Sequence, residues 1–372
     1  MLAQPQDPSS YSHVPPDLEV GERVGMIGLF VTSLVFTPFS FTRRMVTDGG
    51  LVKRQLMNSL VSNLTSNLDV RQMLSLQNPT GIVVEKFCSK RKLRHEVVNV
   101  DCGDDFLPAA LHLVGDIKPG SNVVLYFHGG GYIYPMQGGT VHFAYHAARA
   151  ANNASLAILE YTLAPKSKYP GQLAQAVGAI KYLLKDRGPE NIIIGGDSAG
   201  GNLTLAVLAH IRSPHPNIPP LEAPNKQVFE LLGAFIISAR TNNGASTASY
   251  KYNKHKDYLQ QNMVGQITDN WRPTDEVWAQ PGNSDQQFWS QPTAQRIIIL
   301  VGGDEIYLED NIKMAQLMHA EQREGARVEF VICPKEAHVQ CVIDVGLGVK
   351  SGFMFKKLMN WLGDITRRVE YD

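Results

Sequence analysis

The sequence predicts an α/β fold: a mostly parallel central sheet with helices on both faces and a helical cap. Three observations carry the prediction. From residue 123 onward, short apolar runs alternate with helix-period segments, as parallel strands joined by crossover helices require. One run, Ile192-Ile193-Ile194, leads through Gly196-Asp197-Ser198-Ala199-Gly200 into a helical segment, the strand–turn–helix setting of a nucleophile elbow. Another, residues 123–127, runs directly into His128-Gly129-Gly130-Gly131. The 372 residues suit one large α/β domain with an inserted or appended cap better than two independent domains.

Taken in order, residues 1–22 form a polar, Pro/Ser-rich tail without an early basic cluster, unlike a secretory or mitochondrial leader. Residues 24–41 carry no charge and are flanked by Arg23, Arg43 and Arg44. Their length touches the lower limit of a membrane span, but Gly25, Gly28, Thr32, Ser33, Thr37, Pro38 and Ser40 dilute it. The reading is a cap helix packed over the active site of a cytoplasmic protein, with peripheral or anchoring membrane contact through residues 24–41 as the alternative not favoured. Leu56, Leu60, Leu64 and Leu68 recur every four residues, so 51–75 reads as amphipathic helix. Residues 23–90 are assigned to this N-terminal cap.

The catalytic domain, 91–372, opens with two antiparallel strands at 96–100 and 109–114. Strands at 123–127, 156–159 and 192–194 then alternate with helices at 142–151, 172–184 and 202–211. A Pro-rich connection, 214–224, leads to a strand at 231–237. From about 240 to 292 the pattern breaks, and a structureless loop of that length is improbable inside a domain, so this is read as a second, helical cap. Its Trp271, Trp278 and Trp289 either line a substrate pocket or seal the cap onto the core. Strands at 297–301 and 328–333 and helices at 309–323 and 348–368 complete the domain.

The chemistry follows from what the strand ends deliver. Ser198 is the candidate nucleophile, and the flanking glycines are needed because the turn leaves no room for a Cβ at Gly196 or Gly200. The backbone N–H groups of Gly130, Gly131 and Ala199 are the candidate oxyanion hole. Strand 297–301 delivers Asp304 and Glu305, one of them the acid, and His338 follows the last strand as candidate base. His128 is read as shaping the glycine loop, and His142, His146, His255 and His319 as structural.

With His128-Gly129-Gly130-Gly131, Tyr161-Thr162-Leu163-Ala164-Pro165, Gly196-Asp197-Ser198-Ala199-Gly200-Gly201 and the order Ser, acid, His, residues 90–365 resemble the hormone-sensitive-lipase-like branch of the α/β-hydrolases. The resemblance extends to sterol acetyl esterases and fungal metabolite esterases, and it implies an α/β-hydrolase fold. Against the family's G-x-D-x-L-x-D-(D/E) segment, Glu305 of Gly303-Asp304-Glu305-Ile306-Tyr307-Leu308-Glu309-Asp310 takes the catalytic acidic place. The expected triad is therefore Ser198, Glu305 and His338, with Asp304 as the alternative acid.

Thirty-five basic residues balance thirty-five acidic ones, which leaves no long-range field favouring nucleic acid. Cys88, Cys102, Cys333 and Cys341 lack the spacing of a zinc site or a disulfide scaffold, no metal motif is present, and no cofactor is expected. The resemblance implies a serine carboxylic ester hydrolase acting on a small hydrophobic ester. An amidase, lactonase, acyltransferase or cyclase would use the same residues. A ligand-binding protein on this scaffold is the alternative from another class, disfavoured by the presence of all three triad side chains.

Overall fold

In the computed structural model, which describes residues 14–47, 50–222, 229–244, 246–291 and 293–367, the apolar runs become one sheet. Its strands are β1 (His95–Val100), β2 (Ala109–Val114), β3 (Val123–Phe127), β4 (Ser155–Glu160), β5 (Ile192–Asp197), β6 (Leu231–Ile237), β7 (Ala294–Gly302) and β8 (Val328–Cys333). They lie in the order β1-β2-β4-β3-β5-β6-β7-β8. The pairs β1–β2 and β2–β4 are antiparallel and the others parallel. Strands β3, β4 and β5 are buried at every position, which is why they read as unbroken apolar runs rather than alternating ones. Phe127 at the end of β3 pairs with Gly196 near the end of β5, so the glycine loop and the serine turn leave the sheet side by side.

The helices are α1 (Val20–Thr47), α2 (Val52–Asn67), α3 (Val70–Ser75), α4 (Thr80–Arg91), α5 (Gly138–Ala150), α6 (Gly171–Leu183), α7 (Ala199–Arg212), α8 (Ala248–Tyr252), α9 (Gln261–Trp271), α10 (Leu308–Leu317), α11 (Gln340–Gly346) and α12 (Phe353–Ile365). Leu173, Ile180, Leu205 and Met314 cover one face of the sheet. Val84, Phe143, Leu358 and Trp361 cover the other.

Several elements differ from the sequence expectation for local reasons. The 51–75 segment is two helices: Leu68 is extended, and Asp69 restarts the chain as the cap of α3, accepting from Gln72 N–H while the Gln72 side chain accepts from its own N–H. Helix α4 has no strong apolar stripe and was not predicted. The 240–292 region is mostly turn, with α8, α9 and one 3-10 turn at Pro281–Asn283. Helix α10 stops at Leu317, with His319 just beyond it in the left-handed region. The final helix, expected over 348–368, is α12 at Phe353–Ile365; α11 precedes that range, outside the sequence expectation, and Gly348 at φ 75° lies between the two. Residues 1–13 of the polar tail, 223 and 224 of the Pro-rich connection, and 368 lie outside the described residues.

Helix α1 departs furthest. Its buried residues are Ser33, Thr37 and Arg44. Asn67 Nδ2 donates to Ser33 Oγ at 3.0 Å, and Asn63 Nδ2 donates to Thr37 Oγ1 at 3.2 Å and Ser40 Oγ at 2.9 Å, a polar seam against α2. Ile27, Val31, Val35, Phe36 and Phe39 face outward, Phe39 with 70% of its surface exposed. Among the described residues α1 is the one helix long and apolar enough, by length and composition, to cross a membrane.

Candidate active site

Ser198 stands at φ 54°, ψ −112° at the start of α7, a backbone conformation that costs energy for a residue with a side chain and is held by its surroundings. Those surroundings are close. A Cβ on Gly196 would lie 2.2 Å from the carbonyl oxygen of Phe127, and one on Gly200 1.9 Å from the same atom, so β3 packs against the turn where only glycine fits. Ser198 N–H donates to Ile237 at 2.8 Å, tying the turn to β6 as well. The same approach sets the glycine loop against the N-terminus of α7, where Ala199 is the first residue.

Within the loop, Gly130 and Gly131 both have positive φ, 110° and 62°. Gly129 N–H is spent on Asp197 Oδ1 at 3.0 Å, which fixes the loop to the residue before the serine. His128 is buried, stacks on Tyr161 with centroids 4.3 Å apart, and is pushed down to a pKa of about 4 by that burial. It shapes the loop.

His338 Nε2 lies 2.9 Å from Ser198 Oγ. Burial lowers the imidazole from 6.5 to about 3, which keeps it neutral and able to accept a proton. Glu305 is fully buried; its Oε2 accepts from Ser238 Oγ at 2.6 Å and Gly302 N–H at 3.0 Å. Burial, and then the neighbouring Asp257 carboxylate, raise the Glu305 pKa, while those two donors oppose the rise. Its other oxygen, Oε1, and His338 Nδ1 are both buried without a hydrogen bond, one an acceptor and the other a ring nitrogen able to donate. Asp304 faces elsewhere: it is partly exposed and pairs with Lys256 Nζ at 3.2 Å.

Four site residues escaped the sequence reading. Ser238, at the end of β6, also accepts from Val339 N–H at 3.2 Å, so it touches both the acid and the base loop. The others are Ser249, Asn253 and Asp257, all fully buried and spaced by four residues in the inserted region. Ser249 Oγ donates to the Ile306 carbonyl at 2.6 Å, and Asn253 Nδ2 to those of Gly303 and Glu305 at 3.1 and 2.9 Å. Asp257 accepts from the backbone of both loops. The S-x₃-N-x₃-D spacing was the available signal, in a stretch whose polar composition made it look like surface.

A cavity of about 480 Å³ opens beside the serine, between Gly129, Gly130 and Asp197 on the core and Met57, Val61 and Met73 of α2 and α3. Tyr258 and Met263 of the inserted region close another side. The lining is mainly apolar. Trp271, Trp278 and Trp289 are not among its walls: Trp271 stacks on Tyr132 at 4.3 Å, Trp278 donates to the Ser213 carbonyl just past α7, and Trp289, bonded to Ser284 within the inserted region, is buried in the core cluster, so they seal the inserted region onto the core. His142, His146, His255 and His319 lie away from it, and among the described residues no group of His, Cys, Asp or Glu could hold a metal ion.

A family model described as alpha/beta hydrolase fold matches residues 124–342. Steryl acetyl hydrolase 1 of Saccharomyces cerevisiae is 32% identical over 102 residues, 26% of this chain and 24% of that protein. Arylacetamide deacetylase-like 2 of Homo sapiens is 32% identical over 101 residues, 24% of each. The chain thus spans about a quarter of the length of these curated relatives. Among solved structures, carboxyl esterase 2 from the fungus Tuber melanosporum superposes with a TM-score of 0.61 at 19% identity, covering 74% of this chain and 87% of that one, a likeness of fold.

Proposed function

The chain belongs to the alpha/beta hydrolase fold family, and from that premise we propose that it is a serine carboxylic ester hydrolase of the esterase or deacetylase type. The observation that carries the proposal is the 2.9 Å approach of His338 Nε2 to the hydroxyl of a serine held at positive φ on a strand-to-helix turn. His338 takes the Ser198 proton as the hydroxyl attacks an ester carbonyl, and the developing oxyanion is met by the N–H groups of Gly130, Gly131 and Ala199. The imidazolium returns its proton to the leaving alkoxide, and water releases the acyl group by the same route. Glu305 Oε1 and His338 Nδ1, each buried without a hydrogen bond in the resting site, are the acceptor and donor that pair as the imidazole takes up its proton, so that Glu305 stabilises the charged ring without itself becoming protonated.

The relatives' names share the acetyl group as the part removed, and the apolar cavity suits a small hydrophobic ester. Residues 23–90 and 240–292 act as the two caps, α2 and α3 walling one side of that cavity. Intact mass after treatment with a fluorophosphonate tests the reading: an adduct on the wild type and none on Ser198→Ala supports it, and no adduct on folded wild type overturns it. Hydrolysis of short-chain p-nitrophenyl esters then ranks the acyl groups.

Contact with a membrane surface is favoured by the inverted polarity of α1, whose Ser33, Thr37 and Ser40 face α2 while Val35, Phe36 and Phe39 face out. Because α1 is tied to the body near both ends and its middle, from Met26 against Ser75 to Arg44 against Lys256, it lies along the lipid surface instead of crossing it. Co-flotation with phosphatidylcholine vesicles, lost when Phe36 and Phe39 are replaced by Ser, is the expected result. Equal flotation of both proteins would refute the contact.

A further inference from the structure

Acid and base arrive on separate loops, Glu305 after β7 and His338 after β8, so their mutual geometry depends on whatever joins those loops. The carboxylate of Asp257 does so. Oδ2 accepts from the N–H of Ile306, the residue after Glu305, at 2.9 Å, and Oδ1 accepts from the N–H of His338 itself at 3.3 Å. A third donor, Leu259 N–H at 3.2 Å, fixes the carboxylate within its own turn. Ser249 and Asn253 of the same inserted region reach only the acid loop, and Asp257 alone of the three reaches both.

The turn carrying Asp257 is itself held from behind. Arg44 of α1 donates to the carbonyls of Lys256 and Asp257, the latter at 2.7 Å. A carboxylate with none of its surface exposed is costly unless its lone pairs are used, and here three N–H groups use them. An amide at this position would turn an NH₂ group toward one of those donors. The charge also sits beside Glu305 and raises its pKa, an expense that a merely space-filling residue would not impose.

We propose that Asp257 is a positioning residue for the hydrolytic reaction, holding the backbone of the Glu305 and His338 loops in a fixed mutual register from which acid and base can pair during turnover, with Arg44 securing it from α1. This rests on the reading of Ser198, Glu305 and His338 as the reacting set. It assigns the inserted region a part in turnover, beyond walling the cavity.

The test uses the full-length protein as wild type, Asp257→Asn, Arg44→Met and Ser198→Ala, with fluorophosphonate labelling rates, p-nitrophenyl acetate kinetics and thermal midpoints. Asp257→Asn is expected to lower kcat and the labelling rate together by about tenfold or more, with KM held, since loosened geometry slows attack without changing the cavity. Arg44→Met is expected to lose about threefold in the same two rates. Wild-type kcat and labelling in Asp257→Asn, or a change confined to KM, overturns the proposal; if that variant does not fold, the same outcome in Arg44→Met overturns it. Labelling of Ser198→Ala at the wild-type rate overturns the serine-hydrolase reading and this proposal with it, and shows in a different comparison.

Discussion

Tyr126 donates its phenolic proton to Asp197 Oδ1 at 2.5 Å, beneath the turn that carries the serine. The same oxygen accepts Gly129 N–H, so one buried carboxylate joins β3, the glycine loop and the elbow. Removing the phenol with Tyr126→Phe leaves a buried carboxylate short of a donor, which costs about 1–3 kcal/mol. Urea unfolding should show that loss, and kcat should fall with it as the loop relaxes.

Glu305 and Asp304 are neighbours with opposite surroundings, one fully buried against Ser238 and Gly302 N–H and the other paired with Lys256 near the surface. Glu305→Ala is expected to lower kcat by about a hundredfold or more, and Asp304→Ala by less than about threefold. The reverse ranking would move the acid to Asp304.

Gly200→Ala places a methyl group 1.9 Å from the Phe127 carbonyl, a backbone atom of a central strand that cannot yield. The expected loss is about 4 kcal/mol or more, beyond what ordinary surface substitutions cause. A urea midpoint equal to that of the wild type would contradict the packing of β3 on the elbow.

Proton uptake by His338 stops it acting as a base, so kcat/KM falls as pH drops through the imidazole pKa. Burial depresses that pKa to about 3 from 6.5. The acidic limb should therefore lie below that of an exposed histidine, with more than about half the plateau rate retained near pH 5.5. A pH–rate profile whose acidic limb sits at or above 6.5 would show the imidazole to be solvated.

The parallel strands were legible because burial on both faces leaves no alternation to confuse, and because the glycines of the elbow and loop answer to contacts that no other residue tolerates. The pairing of Ser198 with His338, 2.9 Å apart, was legible from their order along the chain. Asp257, Ser238 and Asn253 were not, since each acts on groups of a distant loop, and the one local trace, the four-residue spacing of Ser249, Asn253 and Asp257, sits in a polar stretch that resembles surface. The uncharged run at 24–41 misleads for a related reason: apolar composition implies burial over the site, whereas α1 turns Ser33 and Thr37 inward and leaves α2 and α3 to face the cavity.

Three of the cavity's walls are methionines, Met57, Met73 and Met263, none of them sealed from solvent. Thioethers give the lining its pliancy, and they are also the groups that peroxide converts to sulfoxides. Each added oxygen would place a strong dipole against the hydrophobic part of a substrate, so oxidative stress would weaken binding without touching the reacting residues, and sulfoxide reductases would restore it.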